Sequence, residues 1–296
     1  MLIDASWDEL AWNSIRILKP SFWDLTLIGD RRLILETRAQ PAIEIQWTHV
    51  GKNASPADIV KKLPSLFRGK KPDIVEASVF PKQKTSIELN LKWASFVWKE
   101  MDLSGFGVVT VCPVCGTGGM FRFYDRDMDD TSIQRAIRLI NSFTDHQSGD
   151  ALLWAVFDIR AYIPKNMRLI QHRFSLGSFT LSFSEKKDSV TLYRFGPALH
   201  LLHGRPIEEF AMSLPEKPLG IVIQSDMTQV EWGYDPPEKT GSFRFGLFGT
   251  KEPPHRFRLW HVTELNRILG IHATGRDAAN PLFFNQIATD YVCIPV

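Results

Sequence analysis

Two stretches decide the fold prediction: Ile15-Arg16-Ile17-Leu18-Lys19-Pro20-Ser21-Phe22-Trp23-Asp24-Leu25 and Ile159-Arg160-Ala161-Tyr162-Ile163-Pro164-Lys165-Asn166-Met167-Arg168-Leu169. Each reads as a strand, a proline, an aromatic or long apolar residue, and a leucine that opens further strands. A unit that occurs twice in one chain indicates internal duplication. The sequence therefore predicts two related units, residues 1–146 and 151–296, separated by a segment around Ser148 that has few apolar residues.

Each half is predicted to contain a strand meander, a helix, a second meander and a closing helix. The alternation in Ile43–Trp47 is typical of a half-buried strand. Ser55 is expected to cap a helix that has Pro56 just inside it, and Asp130 or Thr131 is expected to cap the helix that closes the first half. Further strands are predicted at residues 86–91 and 243–247, further helices at 197–203 and 206–214, and the last closing helix at 264–269.

This order of elements predicts an α+β fold. We expect two tandem α/β-sandwich units related by duplication, each an antiparallel sheet flanked by helices. In element order, and in the ending Ile140-Asn141-Ser142-Phe143 of the first closing helix, both halves resemble the PsbP-like fold. Known members of that fold are mostly non-catalytic binding or assembly factors. The resemblance implies such a role and assigns no site residue.

The composition restricts the class of protein and its partners. Of 296 residues, 44% are hydrophobic and 23% are charged, which is typical of a soluble globular protein. The formal net charge is only +2, so a nucleic-acid partner is not expected. No stretch approaches the roughly 20 apolar residues that span a bilayer, so no membrane partner is expected either. Sparse cysteines and acidic residues near the N-terminus favour the cytoplasm.

The segment Cys112-Pro113-Val114-Cys115-Gly116-Thr117-Gly118-Gly119 is the most suggestive candidate site. Two thiols separated by two residues, with a glycine after the second, can form a knuckle around zinc. A structural zinc site needs four ligands, and the sequence contains no second Cys-x-x-Cys. Cys293 with a histidine could complete the set, or two chains could share one metal ion. The alternatives are a hairpin turn with two reduced thiols, or redox chemistry.

His200 and His203 form a second candidate, because residues three apart lie on neighbouring positions of one helical face. With a carboxylate from Glu208 or Glu209 they could bind a metal ion. The alternative is one packed histidine and one near a helix end, where the helix dipole favours its charge.

Two further patterns have simpler explanations. Asp125–Asp130 begins like a calcium loop but lacks the glycine and glutamate that such a loop requires. The alternation of aromatic and basic residues in Phe121–Tyr124 and Phe243–Phe245 could stack nucleic-acid bases. A sheet with one solvated face gives the same pattern.

No catalytic set of residues is evident, so the sequence favours a non-enzymatic binding or assembly protein with a protein partner. The alternative is a zinc-binding protein, or a metal-dependent enzyme, that uses the knuckle of Cys112 and Cys115. No cofactor other than this zinc is expected. The nine tryptophans and many arginines would suit a protein interface.

Overall fold

The computed structural model describes residues 6–38, 40–66, 72–80, 91–147, 149–216, 218, 220–236 and 252–295. The chain divides into two compact units, unit 1 (Met1–Gln147) and unit 2 (Ser148–Val296). Strands account for 51% of the structure and helices for 19%. The prediction of an α+β sandwich in each unit is therefore wrong. The fold is mostly β, with large antiparallel sheets and few helices.

Unit 1 is built on a seven-stranded antiparallel sheet. Its described elements are β1 (Trp7–Trp12), β2 (Ile15–Pro20), β3 (Asp24–Gly29), β4 (Arg32–Thr37), β5 (Gln40–His49), α1 (Pro56–Leu66), β6 (Asp73–Glu76), β7 (Lys92–Glu100), β8 (Leu103–Val111), β9 (Thr117–Phe123) and α2 (Asp130–Ser142). The order in the sheet is β3-β4-β5-β9-β8-β7-β6. The strands β1 and β2 pair antiparallel with each other and do not belong to this seven-stranded sheet.

The two faces of this sheet pack against different elements. Helix α1 packs over the half formed by β6, β7 and β8, where Leu63 contacts Phe96, Trp98 and Val109. On the opposite face, Phe121 contacts Phe143, which directly follows α2. One face therefore has a half that α1 covers and a half, on β3, β4 and β5, that no helix covers in the described part of unit 1.

Unit 2 has the same order of connections. Its described elements are β10 (Ala151–Val156), β11 (Ile159–Pro164), β12 (Arg168–Ser175), β13 (Ser178–Glu185), β14 (Asp188–Phe195), α3 (Ala198–Leu202), α4 (Ile207–Ser213), β15 (Ile221–Ser225), β16 (Gln229–Tyr234), β17 (His255–Val262), β18 (Arg267–Thr274), α5 (Pro281–Asp290) and β19 (Val292–Cys293). The order in its sheet is β12-β13-β14-β18-β17-β16-β15. In both units three consecutive strands are followed by helix and then by four strands that add in reverse order.

Individual element predictions had mixed outcomes. Ser55 does cap α1, because the Asp58 N–H donates to its Oγ at 3.3 Å. The cap of α2 is Asp129, one residue before the predicted position. The closing helix predicted over 264–269 is wrong, because a short 3₁₀ turn there leads into strand β18. The predicted strands at 86–91 and 243–247 lie wholly or almost wholly outside the described residues.

Candidate metal centre

The two cysteines of the knuckle lie in the tight turn between β8 and β9. The Cys112 N–H donates to the Thr117 carbonyl at 2.8 Å, and the Gly116 N–H donates to the Cys112 carbonyl at 2.9 Å. Gly116 has a φ of +76°, and a Cβ there would lie 2.8 Å from the Gly51 carbonyl carbon. Only glycine fits this position, because both the left-handed backbone and the close approach exclude a side chain.

A second segment, just after α2, brings two more ligand groups to this turn. Thr144 forms an isolated antiparallel bridge with Arg16 of β2, with both backbone hydrogen bonds at 2.9 Å. The Ser142 hydroxyl accepts a further bond from the Leu18 N–H at 2.8 Å. These contacts hold the chain against β2 and direct the next two residues, Asp145 and His146, towards the cysteines.

Four side chains meet at this point: Cys112, Cys115, Asp145 and His146. Their ligand atoms all lie within 4.8 Å of one another. Cys112 Sγ is 3.1 Å from His146 Nε2, and the Cys115 thiol donates to Asp145 Oδ2 at 2.9 Å. Asp145 Oδ1 is 3.6 Å from His146 Nε2. Among the described residues this is the one group of three or more metal-ligating side chains.

Burial differs among the four groups. Cys112 and the Asp145 carboxylate are buried, whereas half of the His146 side chain is exposed. Burial, together with the hydrogen bond to Asp145, raises the pKa of the Cys115 thiol. The Thr117 N–H donates to Cys115 Sγ at 3.3 Å, which is the kind of backbone contact that supports a metal-bound sulfur. Because the His146 side chain is half exposed, an ion could enter from the side of the imidazole.

The donor set and spacing fit a zinc ion. Two thiolates, an imidazole and a carboxylate are typical zinc ligands, and four of them satisfy a closed tetrahedral site. Around such an ion neighbouring ligand atoms lie about 3.3–3.8 Å apart, given the usual metal–ligand bond lengths. The Cys112–His146 and Cys115–Asp145 distances of 3.1 and 2.9 Å would need to open by about 0.2–0.9 Å, and the widest ligand separations, up to 4.8 Å, would need to close by about 1 Å.

The structure does not bring the other predicted ligands into this cluster. Cys293 lies in β19 of unit 2, where burial, with Asp158 nearby, raises its pKa to about 12. The rings of His200 and His203 do lie together, with centroids 5.2 Å apart, and both are exposed. His203 ends helix α3 with a φ of +49°. No third ligand joins the pair among the described residues.

Arg122, in the aromatic and basic alternation of β9, is not on a solvated face. Its guanidinium lies 3.7 Å from the Trp98 ring centroid and bonds to Glu100 at 2.7 Å. The residue is 5% exposed, and Phe121 on the other face is fully buried. Both sides of this strand are therefore covered. The second such alternation, Phe243–Phe245, lies outside the described residues.

Comparison with known proteins adds little about this site. No protein-family model matches the chain, and a search of curated proteins finds no significant similarity. Among solved structures the chain is similar to the crystal structure of MucB in complex with MucA(peri), at 9% sequence identity and a TM-score of 0.22. The similarity covers 95% of this chain and 84% of that chain. Among the described residues, no helix has the length and apolar character needed to span a bilayer.

Proposed function

We propose that this protein binds one zinc ion through Cys112, Cys115, Asp145 and His146. The observation that carries the proposal is the convergence of four ligand atoms within 4.8 Å from two segments that are distant in sequence. A site in which the protein supplies all four ligands leaves no position for a substrate or a reactive water. The role proposed for the ion is therefore structural, and the protein is not proposed to be a metal-dependent enzyme.

The ion would fasten the β8–β9 turn to the segment that follows α2. Without metal, that segment is held by the bridge between Thr144 and Arg16 and by the Ser142 hydroxyl. Metal–ligand bonds would add to these contacts, and because the assembled site exists only in the folded chain, metal binding would stabilise unit 1. The broader prediction of a binding or assembly protein with a protein partner stays a prediction.

The test is the metal content of the purified full chain, followed by substitution of its accessible ligands. We expect about one zinc per chain by elemental analysis, and a large loss in Cys115→Ser and His146→Ala. Cys293→Ser is the matched control, because it also removes a cysteine but lies in unit 2, and it should keep its zinc. Cys112 is less suitable, since its complete burial makes misfolding a competing explanation.

Cobalt provides a direct reading of the ligands. Co²⁺ bound to two thiolates in a tetrahedral site gives an intense sulfur-to-metal absorption band and strong visible bands. These should appear in the wild-type chain and weaken in Cys115→Ser. A folded wild-type chain that takes up neither zinc nor cobalt, even when metal is added under reducing conditions, would refute the proposal.

A further inference from the structure

Among the residues that the structure describes, the helices of unit 2, like α1 in unit 1, cover half of one sheet face. Leu202 of α3 and Ile207 of α4 pack in one core cluster with Val230, Trp232 and Leu259 of strands β16 and β17. The strands β12, β13 and β14 extend beyond this cover. A cavity of about 420 Å³ lies over them, within the range of small-molecule sites in proteins.

The floor of this cavity is a row of hydroxyl groups. The register places Ser182 opposite Thr191 and Thr180 opposite Tyr193, so these side chains project from the same face of β13 and β14. The Thr191 hydroxyl donates to Ser182 Oγ at 3.2 Å. Ser178 continues the row, and neither its hydroxyl nor that of Thr180 has a hydrogen-bond partner among the described residues. These groups remain available to a ligand.

The walls add one charge of each sign and an aromatic surface. Arg173 lies on the β12 side, and Glu216 lies on the opposite side, after helix α4. The Tyr193 hydroxyl donates to the Glu216 carboxylate at 2.5 Å. The rings of Tyr193 and Phe195 lie nearly parallel, at an angle of 8°. The site therefore combines many neutral donors and acceptors with a flat apolar surface.

A cavity in unit 1 lies over different strands, β5, β8 and β9, and has a different chemistry. That cavity, about 360 Å³, lies at the edge of α1 and is lined mainly by apolar side chains such as Ile59, Leu63, Val109 and Met120.

We infer that the cavity of unit 2 binds a neutral polyhydroxylated ligand of the monosaccharide class. Hydroxyl side chains both donate and accept, as sugar hydroxyls do, so a row of them can pair with a sugar in either direction. The opposite charges of Arg173 and Glu216 balance and give no net preference for a charged ligand. The half-buried Phe195 ring, which lies nearly parallel to the buried Tyr193 ring, can pack against the C–H side of a sugar ring.

The experiment measures binding of neutral monosaccharides to the full chain by saturation-transfer NMR and titration calorimetry. We expect at least one of glucose, galactose and mannose to bind at a single site with millimolar or better affinity. Thr180→Val and Ser182→Ala should each weaken binding about threefold to tenfold, the usual effect of losing one hydrogen bond. Thr48→Val, at the exposed edge of the unit 1 cavity, is the control and should have no effect.

Three results would overturn the inference. The first is the absence of binding by all three sugars to the folded wild-type chain. The second is binding that Thr180→Val and Ser182→Ala leave unchanged, which would place the sugar elsewhere. The third is tighter binding of glucuronate than of glucose that is abolished by Arg173→Gln, which would identify an anion site. None of these outcomes affects the zinc proposal, because the metal ligands all belong to unit 1.

Discussion

Asp158→Asn tests whether the guanidinium groups of Arg194 and Arg267 in unit 2 depend on one carboxylate. Asp158 follows β10, and its Oδ2 accepts from Arg194 Nε at 2.9 Å and from Arg267 Nε at 2.8 Å. Only 8% of the Asp158 side chain and 9% of the Arg194 side chain are exposed. The substitution keeps the shape of the residue but leaves two guanidinium groups, one of them buried, without a counter-charge.

Removal of one partner from a buried ion pair typically destabilises a protein by about 3–5 kcal/mol. Asparagine can still accept one hydrogen bond, so we expect a value near the lower end, about 3 kcal/mol. For a domain the size of unit 2 this corresponds to a decrease of about 6–12 °C in the melting temperature. The matched control is Glu209→Gln, which breaks an ion pair whose two side chains are more than half exposed and should change stability by at most about 0.5 kcal/mol.

The assay is urea unfolding, combined with hydrogen exchange of β14 and β18 to report on unit 2 specifically. A second variant separates charge from packing. If the uncompensated charge is the cause, adding Arg194→Met to Asp158→Asn should recover part of the lost stability. A loss in Asp158→Asn no larger than that in Glu209→Gln, or a further loss in the double variant, would refute the reasoning.

Three further predictions concern local packing and titration. Gly116→Ala should destabilise unit 1 by at least about 2 kcal/mol, because it combines a left-handed φ with overlap against Gly51. Gly149→Ala has a similar φ but open space around it, so it should lower the free energy of unfolding by about 1 kcal/mol. Equal losses of the two variants in urea unfolding would contradict this. Phe284→Ala should lower the free energy of unfolding by about 3–5 kcal/mol, because the ring is fully buried. Leu282→Ala, at a side chain that is 83% exposed, should lower it by less than about 0.5 kcal/mol, and thermal unfolding measures both. Burial lowers the pKa of His272; nearby His255 lowers it further, and Glu216 opposes the shift. Because the unfolded chain then binds the proton more readily than the folded chain, stability should fall as pH drops below about 6.5. His272→Gln should make that fall smaller, and an unchanged pH profile would count against the assignment.

Local signals predicted several elements correctly, and tertiary contacts decided the rest. The cap at Ser55 depends on neighbouring residues and could be predicted. Arg267–Thr274 has apolar residues at positions compatible with either a helix or a strand. It is a strand because β14 and β17 pair with its two edges, and such pairing cannot be deduced from one sequence. This error, and the shortness of α3 and α4, explain why the helical content was overestimated.

The candidate metal centre was half predictable for a similar reason. The spacing of Cys112 and Cys115 is a local motif, and it indicated a knuckle with too few ligands. Asp145 follows Cys115 by 30 residues and lies in a stretch that its polarity marked as a boundary between units. What directs Asp145 and His146 to the thiols is the bridge between Arg16 and Thr144, a long-range contact without a sequence signature.

The shared strand order of the two seven-stranded sheets has a consequence for the cavities that they support. Because both units have the same strand order, the side chains that line a cavity on either sheet can differ without a change in the order of the strands that support them. One chain thus carries a mainly apolar cavity in unit 1 and a hydroxyl-lined cavity in unit 2, on two sheets of the same strand order. The side chains of one cavity can be substituted while those of the other cavity stay unchanged.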